Sequence, residues 1–254
     1  MSLIKEVKKK RELSGLPDSI VQRAVQKSGG EVKGARALLR KYFGVFLTNK
    51  VLKAKGDEKE MLENHMSSKK RNYEEFYKEI FSPRDDSGGP KDIKGIHSVI
   101  DLGCGANGFS YGKIKEELGS VDYVGIEAAG QLVDGMNKYF EEKMFLARAE
   151  CMDLFEFEKI VDVLKRQNKD RCVFLFQVVD ALENLERDFS KKFITEISKE
   201  CEWIVVSLPT ESLGGRKKFT VQRKWIVDYL EENFSVKKDF KKDGERILVV
   251  KVKK

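Results

Sequence analysis

Val99-Ile100-Asp101-Leu102-Gly103-Cys104-Gly105-Ala106-Asn107-Gly108 reads as a buried strand that ends in a glycine-rich turn and opens into a helix at Phe109. Gly103 and Gly105 permit backbone dihedrals closed to other residues and leave room for a ligand against the main chain. Asp101 stands at the strand end, just before the turn. About twenty residues on, Tyr123-Val124-Gly125-Ile126-Glu127 is a second short strand that ends in a carboxylate. A carboxylate at the tip of the second strand of a doubly wound sheet is where a ribose diol is held. The alternative for Glu127 is a carboxylate that merely starts the next helix. A glycine loop alone says little, but strand, turn, helix and spaced acid together indicate a nucleotide site.

Outward from this motif, strands and helices alternate. Strands are expected at 98–102, 123–127, 145–151, 172–177 and 203–208, and helices at 109–118, 128–142, 155–165, 187–200 and 221–233. That alternation implies an α/β fold with a parallel, doubly wound sheet. The chain closes differently. Segments 234–240 and 246–252 flank Lys241-Lys242-Asp243-Gly244-Glu245, a hairpin turn. Ligands in such sheets bind beyond the carboxyl ends of the strands. The pocket is therefore expected among the 101–108 turn, Glu127, Met152-Asp153-Leu154, Gln177-Val178-Val179-Asp180 and the 207–218 loop. Asp153 can accept from an adenine amino group, with Met152 and Leu154 beside the ring. Its alternative is an N-cap of the following helix.

The region before residue 82 reads as helical. Pro17-Asp18-Ser19 opens a helix with Ile20, Val21, Ala24 and Val25 on one face, and Gly29-Gly30 stops it. A second helix is expected over 32–46, its aromatic end (Tyr42, Phe43, Phe46) read as packing. A third is expected over 67–81, capped by Ser67 or Ser68, with Tyr73, Phe76, Tyr77, Ile80 and Phe81 as an apolar stripe that docks on the following domain. Segment 82–91, with two prolines and two glycines, reads as a linker. Two domains follow: 1–91, helical and basic, and 92–254, carrying the nucleotide motif.

The 254 residues carry a net charge of +7, but residues 1–56 alone carry +10 and the rest −3. A segregated basic segment is the footprint of a polyanion binder. Lys8, Lys9, Lys10 and Arg11 lead it. The four cysteines are widely spaced without C-x-x-C, and there are two histidines, so neither a zinc site nor a disulfide framework is indicated. No membrane span or signal peptide is legible, and a cytoplasmic monomer is expected.

The D-x-G-C-G form of the turn, unlike G-x-G-x-x-G, resembles the nucleotide-binding motif of class I S-adenosylmethionine (SAM) dependent methyltransferases, whose Rossmann-like sheet also ends in an antiparallel hairpin. The cysteine nucleophile of cytosine C5 methylation and the D/N-P-P-Y/F run of amine methylation are both missing after the fourth strand. A ring nitrogen such as guanine N7 has a free lone pair and needs no general base, only placement. Four stretches are similar to one family, the aminoglycoside-resistance 16S rRNA (guanine-N7) methyltransferases of the Arm/Rmt group. The rim loop Ser207-Leu208-Pro209-Thr210-Glu211-Ser212-Leu213-Gly214-Gly215-Arg216-Lys217-Lys218 resembles its S-F-P-T-x-S-L-G-G-R-x-K. His65-Met66-Ser67-Ser68-Lys69-Lys70-Arg71 resembles H-x-S-T-x-E-R, and 101–108 resembles D-x-x-C-G-x-N-P. The basic stretch from Lys9 is similar to the family's N-terminal helices.

The resemblance implies SAM as cofactor, no metal, and 16S rRNA of the 30S subunit as substrate, methylated at N7 of a decoding-site guanosine, with aminoglycoside resistance as a consequence. It implies that Arg71 pairs with the SAM carboxylate, a solvated helix charge being the alternative. The cofactor-binding set is then Arg71, Asp101, Gly103, Gly105, Asn107, Glu127, Met152, Asp153, Leu154 and Gln177. The RNA-facing set is Lys8, Lys9, Lys10, Arg11, Ser207, Arg216, Lys217 and Lys218. No catalytic base is expected. Departures sit at the base-holding end. The family's F-K-L-L-P is Phe176-Gln177-Val178-Val179-Asp180 here, and its proline after the motif asparagine is Gly108. A second functional class is a non-catalytic or differently targeted RNA-binding protein on the same fold.

Overall fold

The structure is a computed structural model and describes residues 2–44, 46–54, 56–67, 69–82, 93–211 and 223–253. The strands are β1 (Ser98–Leu102), β2 (Asp122–Glu127), β3 (Ala147–Cys151), β4 (Arg171–Phe176), β5 (Trp203–Pro209), β6 (Ser235–Lys242) and β7 (Glu245–Lys251). They form one sheet in the order β3-β2-β1-β4-β5-β7-β6. The first five are parallel; β7 runs antiparallel between β5 and β6. Successive side chains on a strand face opposite ways. Ile100, Leu102, Val173, Leu175, Ile204 and Val206 enter one apolar cluster, and Val99, Cys172, Phe174, Phe176, Trp203 and Val205 enter another. Both faces are covered, so these strands are almost continuously apolar.

The helices are α1 (Leu3–Lys8), α2 (Asp18–Lys27), α3 (Val32–Leu39), α4 (Asn49–Ala54), α5 (Glu58–Asn64), α6 (Tyr73–Phe81), α7 (Tyr111–Leu118), α8 (Gly130–Glu142), α9 (Phe157–Arg166), α10 (Val179–Leu185), α11 (Phe189–Ser198) and α12 (Lys224–Asn233). Helices α9–α12 cover one sheet face and α6–α8 the other. On α6 the expected stripe is buried as Tyr73, Phe76, Tyr77, Ile80 and Phe81. Burial of such side chains stabilises by roughly 1.5–3 kcal/mol each. The cluster containing α6 also takes Leu47, Val51, Ala54 and Met61, so α4 and α5 share the core of the sheet. Helices α1–α3 have a smaller cluster of their own around Val7, Leu13, Ile20, Val21 and Leu39.

Two local expectations need correction. Helix α6 starts at Tyr73, not at residue 67. Its cap is Asn72, whose side chain accepts from the Glu75 N–H, because Arg71 before it is drawn into a buried pair with Glu245. The helix expected over 32–46 is α-helical only to Leu39 and continues as a π-helical turn, Arg40–Gly44. Val179–Leu185, to which the sequence reading assigns no helix, is α10. The linker 83–91 and the loop beyond residue 211 lie outside the described residues. Among the described residues, no helix is long and apolar enough to cross a membrane.

Candidate nucleotide site

Strand β1 pairs with β2 on one side and with β4 on the other. Chain connections leave in opposite directions there, which opens a crevice at the strand ends. The crevice is a cavity of roughly 780 Å³ including its mouth. Six of the expected cofactor residues line it: Gly103, Gly105, Glu127, Asp153, Leu154 and Gln177. Its roof comes from the N-terminal region, through Ile20, Tyr42, Phe43, Phe46, His65 and Ser67. The three aromatics are half-buried and face this space, so they do more than pack on neighbours. The roof is not legible as a unit in the sequence, because its residues are scattered over forty-odd positions and join only when α1–α5 fold over the strand ends.

Glu127 is fixed by two backbone donors. Gly105 N–H reaches one oxygen at 2.9 Å and Ala129 N–H the other at 2.8 Å. It therefore orders the start of α8 and also lines the cavity. Burial pushes its carboxyl above the ordinary range, against the pull of the backbone donors. Gly103 and Gly105 adopt φ of 72° and 55°. A Cβ on Gly105 would come within 2.8 Å of the His65 ring, so only glycine fits beneath that ring.

Asp153 accepts from the Phe155 N–H through Oδ1 at 2.9 Å, a local turn and not a helix cap, since α9 is capped at Glu156. Its Oδ2 is buried without a hydrogen bond among the described residues, although the Ser19 hydroxyl lies near enough to favour the charged form. Burial is the larger influence and raises its carboxyl. Met152 does not line the cavity but packs against the apolar cluster beneath.

His65 is buried, with its ring stacked on Phe46 at 5.3 Å and its Nδ1 3.0 Å from the Ser67 hydroxyl. Burial, helped by the Arg71 charge, drives its pKa down to about 3, so it stays neutral. Gln177 has the left-handed φ of 58°, and its Nε2 donates to the Ser67 carbonyl at 3.3 Å.

Besides Met152, three expected cofactor residues are elsewhere. Arg71 forms a two-pronged pair with Glu245 (2.8 and 2.9 Å), with both side chains 3% exposed, and its third nitrogen donates to Asn107 Oδ1 at 3.0 Å. Burial works against the guanidinium charge, but Glu245, together with Tyr73 and Tyr77, outweighs it and holds Arg71 protonated. Asn107 Nδ2 donates to Asp101 at 2.6 Å, and Tyr123 donates to the same oxygen at 2.9 Å. Tyr77 also donates to Asn107. Burial raises the Asp101 pKa to about 6. Neither a solvated charge nor a cavity wall describes Arg71; the carboxylate it holds in this structure belongs to Glu245. Sequence distance hides that partner, 174 positions away.

The RNA-facing set divides too. Lys9, Lys10 and Arg11 are exposed, and Lys8 pairs with Asp18 at 2.6 Å. Ser207, expected at the RNA-facing rim, is instead fully buried and donates to Glu245. Alternation along β5 turns it into the sheet core. Arg216, Lys217 and Lys218 lie outside the described residues. Asp180 does not line the cavity; it is held by Arg223 in a two-pronged pair. Among the described residues no His, Cys, Asp or Glu side chains are grouped to hold a metal ion, and the four cysteines are free.

No protein-family model matches the chain, and no curated protein matches it in sequence. Solved structures do. The 16S rRNA methyltransferase RmtF in complex with S-adenosyl-L-homocysteine is similar with a TM-score of 0.76, covering 99% of this chain and 97% of its own at 18% identity. An rRNA methylase from Escherichia coli gives 0.73, covering 99% and 98% at 18% identity. The 16S rRNA methylase RmtB gives 0.71, covering 99% and 97% at 18% identity. The fold is thus the Rossmann-like α/β fold of SAM-dependent methyltransferases, with a C-terminal antiparallel hairpin and helices in front.

Proposed function

We propose that this chain is a SAM-dependent methyltransferase of 16S rRNA in the 30S subunit, acting at N7 of a decoding-site guanosine. The observation that carries the reading is the extent of the structural likeness. It runs over 99% of the chain and so takes in α1–α6 as well as the sheet. A sheet alone would fit many nucleotide-binding proteins.

The cavity residues fit SAM. Glu127 accepts from the ribose hydroxyls, and Gly103 and Gly105 let the ligand approach the main chain. The buried Asp153 Oδ2 accepts from the adenine amino group, and Leu154 lies against the ring. SAM supplies a sulfonium methyl group, which the ring-nitrogen lone pair takes as the carbon–sulfur bond breaks. The protein's part is placement, which can supply a large share of the rate enhancement. The neutral His65 is a poor base, and an N7 substrate has no proton to remove.

Residues 1–91 serve as the rRNA-binding domain and 92–254 as the methyltransferase domain. Lys9, Lys10 and Arg11 contact phosphates, joined by Arg216, Lys217 and Lys218 of the rim loop. The protein acts as a monomer in the cytoplasm, and methylation in the decoding site confers aminoglycoside resistance. Incubation with tritiated SAM and purified 30S subunits, followed by mapping of the labelled nucleotide, tests the reading. One labelled decoding-site guanosine is expected. Label confined to other RNA, or no transfer at all, would overturn it.

A further inference from the structure

We propose that Gln177 selects guanine at the methylated position, its amide donating a hydrogen bond to O6 beside the nitrogen that receives the methyl. This rests on the guanine-N7 reading above and assigns Gln177 to the target base instead of to SAM.

Three features converge on this residue. First, Gln177 follows β4 directly at the open end of the sheet and lines the cavity. Second, its backbone is left-handed, with φ of 58°, a conformation that glycine or asparagine adopts more readily. The conformation is held by the Gln177 N–H, which donates to the Ser207 carbonyl at 3.0 Å. Strained backbone of this kind gathers at functional sites. Third, the side chain is oriented. Nε2 donates to the Ser67 carbonyl at 3.3 Å, and a carbonyl can only accept, so the amide nitrogen must face Ser67. Ser67 in turn bonds His65, whose ring sits over Gly105. The amide is thus anchored beside the glycine turn, and among the described residues one Nε2 hydrogen and Oε1 are left for a ligand.

The chemistry of the purine then decides. Guanine places two acceptors, O6 and N7, on one edge; adenine places the N6 amino donor beside its N7. When N7 is given to the methyl group, the remaining 6-substituent faces the anchored amide. The free Nε2 hydrogen pairs with O6, whereas with adenine it meets another donor. Glu127 and Asp153 cannot perform this role, because a carboxylate only accepts. Asp180, three residues on, does not interfere, since Arg223 holds it away from the cavity wall.

Three variants test the assignment: Gln177→Gly, which suits the left-handed backbone but removes the amide; Gln177→Glu, which keeps length but not the donor; and Gln177→Lys, which restores a donor. Each is assayed for single-turnover methyl transfer to 30S subunits at saturating SAM, for binding of S-adenosylhomocysteine by calorimetry, and for melting temperature. The Gly and Glu variants should transfer about 10- to 100-fold more slowly, with ligand affinity within about threefold of the parent. The Lys variant should recover most of the rate. The Gly variant should melt no lower than the parent, so a folding defect cannot explain its loss. A Gly or Glu variant that transfers at the parent rate would overturn the proposal. So would a loss of rate matched by an equal loss of ligand affinity, which would return Gln177 to the cofactor. If the unmodified protein fails to methylate 30S subunits, the N7 reading falls and this assignment falls with it; parent activity with indifferent variants defeats the assignment alone.

Discussion

The residues of one glycine turn serve two neighbouring regions, and they serve them differently. In the cavity, Gly103 and Gly105 expose backbone, Glu127 is pinned by N–H groups, and Asp153 keeps one oxygen without a hydrogen bond among the described residues. Behind it, Asp101 and Asn107 join Arg71, Tyr77, Tyr123, Glu245 and Ser207 in a buried chain of hydrogen bonds closed to the cavity. The first region is poised for a ligand. The second ties the segment before α6, the end of β1 and the start of β7 into one body. A charged residue near a nucleotide motif can thus belong to the scaffold that holds the motif in place.

The contrast is broken most sharply by removing Glu245. Glu245→Ala leaves the Arg71 charge buried without its carboxylate and should cost about 3–5 kcal/mol in urea unfolding. A cost below about 1 kcal/mol would mean that the pair is solvated in practice and the two regions are not distinct.

Asp101 offers a smaller, pH-dependent effect. Burial raises its carboxyl from 3.8 to about 6. The native state then binds a proton that the unfolded chain has lost, so this group's contribution to stability falls as pH rises from about 4 through about 6. His65 works oppositely. Its pKa falls from 6.5 to about 3, so its contribution is lost as pH drops below 6.5. The difference between parent and Asp101→Asn isolates the first effect. Asparagine can still accept from Asn107 and Tyr123. The variant should gain on the parent between pH 4.5 and 7, by an amount of order 1–3 kcal/mol. A constant difference across that range would show that Asp101 is not held near neutrality.

The smallest effect on stability is expected at the N-terminal surface. Replacing Lys9, Lys10 and Arg11 with Ala should move stability by less than about 0.5 kcal/mol. The same change should flatten the salt dependence of 30S binding, by about 0.7 in log–log slope for each phosphate no longer neutralised. An unchanged slope would remove these residues from the RNA interface.

What could be read in advance follows the range of the interactions involved. The glycine turn, Glu127 and the β6–β7 hairpin are local patterns, and all three form where expected. Short helices escape notice: α4, α5 and α10 span six or seven residues each, too few for an apolar period to show. The roof of the cavity and the Arg71–Glu245 pair depend on contacts across the whole chain, which no local spacing encodes. Ser207 is a different case. Alternation along β5 places it with Trp203 and Val205, so its burial is readable from the strand pattern, but the rim-loop motif directs attention to the wrong face.

The central claim is that the cavity, and not the buried chain behind it, binds SAM. Calorimetric titration of S-adenosylhomocysteine into the parent protein and into Glu127→Ala tests it most directly. The parent should bind one equivalent, and Glu127→Ala should bind more weakly by about 1–3 kcal/mol, the cost of losing hydrogen bonds to the ribose. No binding by the folded parent, or equal affinity in the two proteins, would contradict the account.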